Sequence, residues 1–172
     1  MKTKTSLIAV LVLFFSLTMS AQKHDVDKSK KAIKEFRKRD PGISKFFSSA
    51  YGYAIFPSIG KGGFVVGGAG GKGTVFKGNV PKADVKMTQV TIGLQAGGQK
   101  YAEVIFFEDK AAYDRFVNHR YTFAAQISAV ILQSGISTNA KYTDGVLVFT
   151  LPKGGLMYEA SIGGQKFKTT MY

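Results

Sequence analysis

Tyr51-Gly52-Tyr53-Ala54-Ile55-Phe56-Pro57-Ser58-Ile59-Gly60-Lys61-Gly62-Gly63-Phe64 is the stretch on which the fold turns. Ahead of it the chain reads as helix. From Tyr51 onward, short runs of aromatic and β-branched residues alternate with glycine pairs, the pattern of an antiparallel sheet. The runs predict strands at Gly52–Phe56, Phe64–Gly68, Gly73–Phe76, Thr88–Gln95, Lys100–Phe107, Phe123–Leu132, Val146–Leu151, Leu156–Ile162 and Lys166–Thr170. In the run from Phe123, the alternation of Phe123, Ala125, Ile127, Ala129 and Ile131 favours a strand and leaves a helix open. A helix over Asp109–Asn118 interrupts the series, with Ala112, Tyr113, Phe116 and Val117 as its apolar stripe.

The glycines between these runs echo one another. Lys61-Gly62-Gly63-Phe64 resembles Lys153-Gly154-Gly155-Leu156, and Gly97-Gly98-Gln99-Lys100-Tyr101 resembles Gly163-Gly164-Gln165-Lys166-Phe167. Glycine supplies the positive φ that tight hairpins demand, so repeated hairpin chemistry explains the echo. Gly68-Ala69-Gly70-Gly71-Lys72-Gly73 matches a dinucleotide fingerprint on paper. That fingerprint needs a helix after it. Thr74-Val75-Phe76 is strand-like instead, so the segment reads as a glycine-rich β turn. A phosphate-binding P-loop fails too, because Lys72 is followed by Gly73 and not by Ser or Thr.

On the N-terminal side, residues 25–39 read as a helix. Val26, Ser29, Ala32, Ile33 and Phe36 fall within an arc of about 120° at helical spacing. Asp25 suits an N-cap, and Asp40-Pro41-Gly42 stops the helix. The opposite face carries Lys28, Lys30, Lys31, Lys34, Arg37, Lys38 and Arg39, with Asp27 and Glu35 among them. A second short helix is expected over Ile43–Ala50. A helix with an apolar stripe and a dense cationic face is the pattern of membrane-surface helices. The same pattern serves a helix docked on its own domain with the charges solvated. Spacing alone leaves the two open.

Further upstream, Lys2 and Lys4, the apolar run Leu7–Leu17 and the small residues around Ser20-Ala21 follow the order of a secretory signal. The run is shorter than the roughly 20 residues of a spanning helix. Residues 1–21 are therefore expected to be a cleaved leader and 22–172 one exported domain, periplasmic or secreted. The 172-residue chain has no cysteine, which removes disulfides, thiol catalysis and zinc–thiolate sites. Loss of Lys2 and Lys4 with the leader takes 24 basic residues to 22 against 11 acidic ones, a mature net charge of +11. Such a surface attracts polyanions, and export favours anionic lipid over nucleic acid.

Catalytic candidates are few. His24 and His119 are the only histidines and form no recognisable constellation. No calcium-type acidic loop occurs. Glu103 and Glu159 lie inside strand-like runs, and a carboxylate pair across a cavity does acid–base work. Solvated glutamates, or glutamates paired with lysines, are the plainer reading.

Three blocks carry a resemblance. They are Tyr51–Phe64 as quoted, Gln89-Val90-Thr91-Ile92-Gly93-Leu94-Gln95-Ala96-Gly97-Gly98-Gln99 with Glu103-Val104-Ile105-Phe106-Phe107, and Lys153-Gly154-Gly155-Leu156-Met157-Tyr158-Glu159-Ala160. In this order the chain resembles the SYLF domain family, over roughly Lys31 to Lys168. The resemblance implies a phospholipid-binding module without catalysis or cofactor, whose basic N-terminal segment corresponds in position to Val26–Arg39. The actin role of eukaryotic members does not transfer to an exported chain.

The reading as a whole is one α+β domain, mostly antiparallel sheet with barrel-like closure left open, a basic N-terminal helix and a mid-chain helix. It binds an anionic phospholipid or membrane surface. Lys28, Lys30, Lys31, Lys34, Arg37, Lys38 and Arg39 draw in headgroups, while Val26, Ile33 and Phe36 insert shallowly or dock. Lys61 and Lys72, on glycine-rich loops whose amides face an anion, are secondary candidates. No metal, cofactor or nucleic acid is expected. An outer-membrane β-barrel, a surface adhesin and a glutamate-dependent hydrolase are the alternatives.

Overall fold

The periodicity of residues 25–39 is realised as helix α1, in a computed structural model that describes residues 25–63, 66–92, 98–118, 121–123, 128–154 and 162–172. Val26, Ser29, Ala32, Ile33 and Phe36 are all buried. The helix stops where Asp40 turns extended before Pro41. A 3-10 turn, Pro41–Ile43, leads into α2, Ser44–Ser49. The Asp40 carboxylate holds this corner: Oδ1 accepts from the Gly42 N–H at 3.0 Å and Oδ2 from the Ser137 N–H at 2.9 Å.

The strands follow as β1 (Gly52–Gly63), β2 (Val66–Lys77), β3 (Val80–Ile92) and β4 (Gln99–Phe107). Helix α3 (Lys110–Asn118) comes next, opened by the Asp109 Oδ1 acceptor for the Ala112 N–H at 2.8 Å. After it come β5 (Tyr121–Thr122), β6 (Val130–Ile131), a 3-10 turn at Ile136–Asn139, β7 (Val146–Pro152) and β8 (Lys166–Met171). They form one sheet in the order β5-β8-β3-β2-β1-β4-β7-β6. Every pairing is antiparallel except β6 with β7, so the α+β, mostly antiparallel expectation holds, and the sheet curves into a half-barrel.

Both faces of the sheet are buried along β4, β7 and the first half of β1, which is why these stretches read as near-continuous apolar runs. On the inner face, Ala54, Phe56, Val75, Met87, Ile105 and Val148 pack with Tyr113 and Phe116 of α3 and with Phe167. On the outer face, Tyr53, Ile55, Phe76, Phe106 and Phe149 pack with Phe36 of α1 and with Phe46 and Phe47 of α2. Phe47 stands edge-on to Tyr53 and to Phe106, at 5.1 and 4.8 Å between ring centroids, a preferred aromatic geometry. Ser29 Oγ and Thr74 Oγ1, 3.0 Å apart in the buried seam, join α1 to β2.

Curvature has a local cause at Pro57. The register of β1 shifts there against both neighbours, between Ile55 and Ser58 toward β2 and between Phe56 and Ile59 toward β4. Proline removes a ladder donor and is tolerated at such a bulge, which bends the strand. Gly73 lies under the bend: a β-carbon there would sit 2.3 Å from the Ile55 carbonyl oxygen.

Several expectations need correction. Gly68–Gly73 is not a turn. It lies wholly within β2, paired residue by residue with β3 and, apart from Gly73 at the register shift, with β1, so it is part of the ladder. A glycine run lacks side chains to pack, but here strands on both sides hold it extended. The positive φ sought at glycine pairs occurs at Gly63, Gly154 and Gly164. It occurs also at Gly78, in the two-residue Gly78-Asn79 turn joining β2 to β3. The single strand expected over Phe123–Leu132 is broken. Phe123 lies past β5, residues 124–127 are outside the described residues, Ser128 forms a bridge, Ala129 is in no strand, and Val130–Ile131 pairs in parallel with β7. Most of the Leu156–Ile162 run, the ends Phe64 and 93–95 of two other runs, and the leader at 1–21 also lie outside the described residues.

Candidate functional site

The seven cations of α1 end up on one surface because its apolar stripe is consumed by the outer face of the sheet. Lys28, Lys30, Lys31, Lys34, Arg37, Lys38 and Arg39 are all exposed. Ile33 and Phe36, expected to insert or dock, are docked: Phe36 is 0% exposed and Ile33 9%. Shallow insertion of these two residues would require α1 to leave the sheet. Some of the cations are engaged. Lys28 lies 3.9 Å from Asp25, Arg37 stacks 5.0 Å above the Phe47 ring, and Arg39 Nε donates to the Leu132 carbonyl at 3.5 Å. Glu35, in the midst of the basic face, is taken by Lys153 at 2.8 Å. Exposed pairs of this kind add little stability, so the face stays strongly positive.

Lys61 and Lys72 are not on loops. Lys61 lies in β1 opposite Ala69 and Gln99, and Lys72 lies in β2 opposite Ser58 and Lys86. Alternation along the strands puts Lys61 on the side of Ile59 and Lys72 on the side of Thr74, so the two point to opposite faces. Each has company that local spacing could not reveal. Lys61 shares a surface depression of about 410 Å³ with Gln99, Lys100 and Lys153. Lys72 shares one of about 180 Å³ with Lys28 and Ser58, which brings it to the start of α1. The only signal in the sequence was the excess of lysine itself.

The other distinctive group is Glu103. It points from β4 into the inner core and is fully buried. Its neighbours across the strands are Phe56 and Thr150. Gln165 Nε2 donates to Glu103 Oε2 at 3.0 Å. Among the described residues, Glu103 Oε1 and Thr150 Oγ1 have no hydrogen-bond partner. Burial pushes the Glu103 carboxyl up to about 7, with the Gln165 hydrogen bond opposing in part. Burial, and then the charge of Glu103, also raise the nearby Tyr101 hydroxyl above its ordinary value. This group can hold a proton near neutral pH in the buried interior. Glu159, the carboxylate considered as its partner, and both histidines lie outside the described residues. Among the described residues no cluster of His, Cys, Asp and Glu has the makings of a metal site.

Asp40 behaves oppositely. Burial alone would raise its carboxyl, but hydrogen bonds from Ser137 and from the Gly42 and Gly135 amides outweigh it and hold the group below its ordinary value of 3.8. Asp40 is thus a charged structural clasp between the end of α1 and the Ile136–Asn139 turn.

No family model matches the chain. It is similar to Beta cell expansion factor A of Aeromonas veronii, with 30% identity over 128 residues, 74% of this chain. The chain spans about half, 49%, of the length of that relative.

Proposed function

We propose that the chain is a non-catalytic module that binds the surface of an anionic phospholipid membrane in the bacterial envelope, in the manner implied by its resemblance to the SYLF family. The observation that carries this reading is the seating of α1. Its apolar stripe is locked onto the sheet, so seven cations are held as a fixed, outward surface instead of scattered along a free helix. Each cation near an anionic bilayer contributes about 1 kcal/mol. Lys30, Lys31, Lys34 and Lys38 have no ion-pair partner among the described residues, so they lose no internal contact on binding. The attraction is electrostatic and peripheral. The leader-like residues 1–21 would deliver the domain across the inner membrane to meet that surface.

Co-sedimentation with vesicles tests the reading. Phosphatidylcholine vesicles containing phosphatidylglycerol should bring the protein down, pure phosphatidylcholine should not, and raised salt should release it. The K31E/K34E/K38E variant, altered only at exposed positions, should remain in the supernatant. Equal binding to neutral and anionic vesicles, or undiminished binding of the variant, would overturn the proposal.

A further inference from the structure

Four strands align a single rung of the outer face: Ser58 of β1, Lys72 of β2, Lys86 of β3 and Lys168 of β8 are successive cross-strand partners. Neighbouring strands lie about 4.8 Å apart, so three lysine stems leave the sheet side by side over about 10 Å. All three are exposed. Like charges placed directly opposite on adjacent strands are destabilising, and a sheet selected for stability alone would alternate their sign. None of the three has an ion-pair partner among the described residues. Two carboxylates border the rung, each with a partner of its own: Asp84 Oδ1 accepts from the Tyr172 hydroxyl at 2.8 Å, and Asp25 lies 3.9 Å from Lys28. On this face the next rungs hold Asp84 and Thr170 on one side, and Thr88 and Lys166 on the other. A depression of about 300 Å³ is lined by Lys72, Lys86, Lys168 and Thr170 together with Asp25 and Asp84.

We propose that this rung is a binding site for a multiply phosphorylated anion, one whose phosphoryl groups are spaced so that neighbouring lysines each take one, with the Ser58, Thr88 and Thr170 hydroxyls donating from the flanks. Three lysines stand there against two carboxylates that already have partners, and the ligand would supply the remaining negative charge. The site is borne by the sheet, beside the start of α1 rather than on its basic face, and it adds selectivity for phosphate multiplicity to the charge attraction proposed for the helix.

Calorimetric titration of the full chain with tripolyphosphate and with orthophosphate, at matched ionic strength, tests this. Tripolyphosphate should bind one to one and more tightly than orthophosphate. The K86Q/K168Q variant should lose at least about tenfold in that affinity, while K34Q/K38Q on α1 should not. Without ligand, K86Q/K168Q should melt at or above the wild-type temperature, which separates lost binding from lost fold. Equal affinity for both phosphates, or equal losses in the two variants, would overturn the site. Vesicles of phosphatidylcholine with cardiolipin or phosphatidylglycerol, matched in charge, identify the source. A cardiolipin preference that K86Q/K168Q abolishes supports a lipid headgroup, and tripolyphosphate binding without such a preference supports a soluble anion. Vesicle binding lost in K31E/K34E/K38E, with no tripolyphosphate affinity that K86Q/K168Q removes, would overturn this site and leave the helix reading standing.

Discussion

Gln165 Nε2 donates to Glu103 Oε2 at 3.0 Å inside the inner core, and it is the one hydrogen bond that Glu103 receives among the described residues. A second oxygen of the same carboxyl is left without a partner, so the buried group is far easier to keep neutral than charged. The carboxyl is raised to about 7 in the fold against an ordinary 4.5. Its neutral form therefore stabilises the fold most fully below pH 4.5, and that contribution is lost as pH rises through 7. Glu103→Gln keeps the acceptor for Gln165 and removes the titration. The variant should match the wild type near pH 4 and exceed it above pH 7 by up to about 3 kcal/mol in urea unfolding. A stability difference independent of pH would contradict a neutral buried Glu103.

Asp40 should show the reverse dependence. Its carboxyl is held below 3.8, so its contribution is present above that value and lost as pH falls through the lower folded value. Asp40→Asn exchanges charge-assisted acceptors for an amide and should cost about 1–3 kcal/mol at neutral pH. The gap should stay constant from pH 8 to about pH 5 and narrow only in strong acid. A gap that widened on acidification would show that the clasp is not ionised.

Phe36 fixes α1 to the sheet, with no exposed surface of its own. Phe36→Ala should cost about 3–5 kcal/mol in chemical denaturation, the usual penalty for emptying an aromatic site in a packed core. An unchanged midpoint would mean that the helix is not docked in solution, and would return Phe36 to the membrane-inserting role that the sequence left open.

Gly73 and Gly60 make a controlled pair. A β-carbon at Gly73 would meet the Ile55 oxygen at 2.3 Å and Phe56 Cδ1 at 2.9 Å, while one at Gly60 would meet nothing within 4 Å. Gly73→Ala should destabilise by about 1–3 kcal/mol through overpacking. Gly60→Ala should change stability by no more than about 0.5 kcal/mol. Similar melting temperatures for the two variants would remove the bend at Pro57 as the reason for glycine at position 73.

Helix α1 was legible because its signal is local: five small or apolar residues at 3.6-residue spacing specify a face, whatever that face then meets. The same holds for α3, for the strands β4 and β7, whose apolar runs end at turn signals, and for the lysine excess. The glycine run of β2 was illegible for the opposite reason. Glycine carries no pattern, and only pairing with β1 and β3 holds Gly67–Gly71 extended. Whether Phe36 meets lipid or protein also lay beyond spacing, since both environments reward the same stripe. The sequence by itself determined an α+β chain with a cationic helix and a glycine-punctuated sheet. Only the tertiary structure decided that the helix docks, that Glu103 is sealed in the core beside Gln165, and that Lys72, Lys86 and Lys168 stand in one rung. Strand register joins residues far apart in the chain, and no local periodicity encodes it.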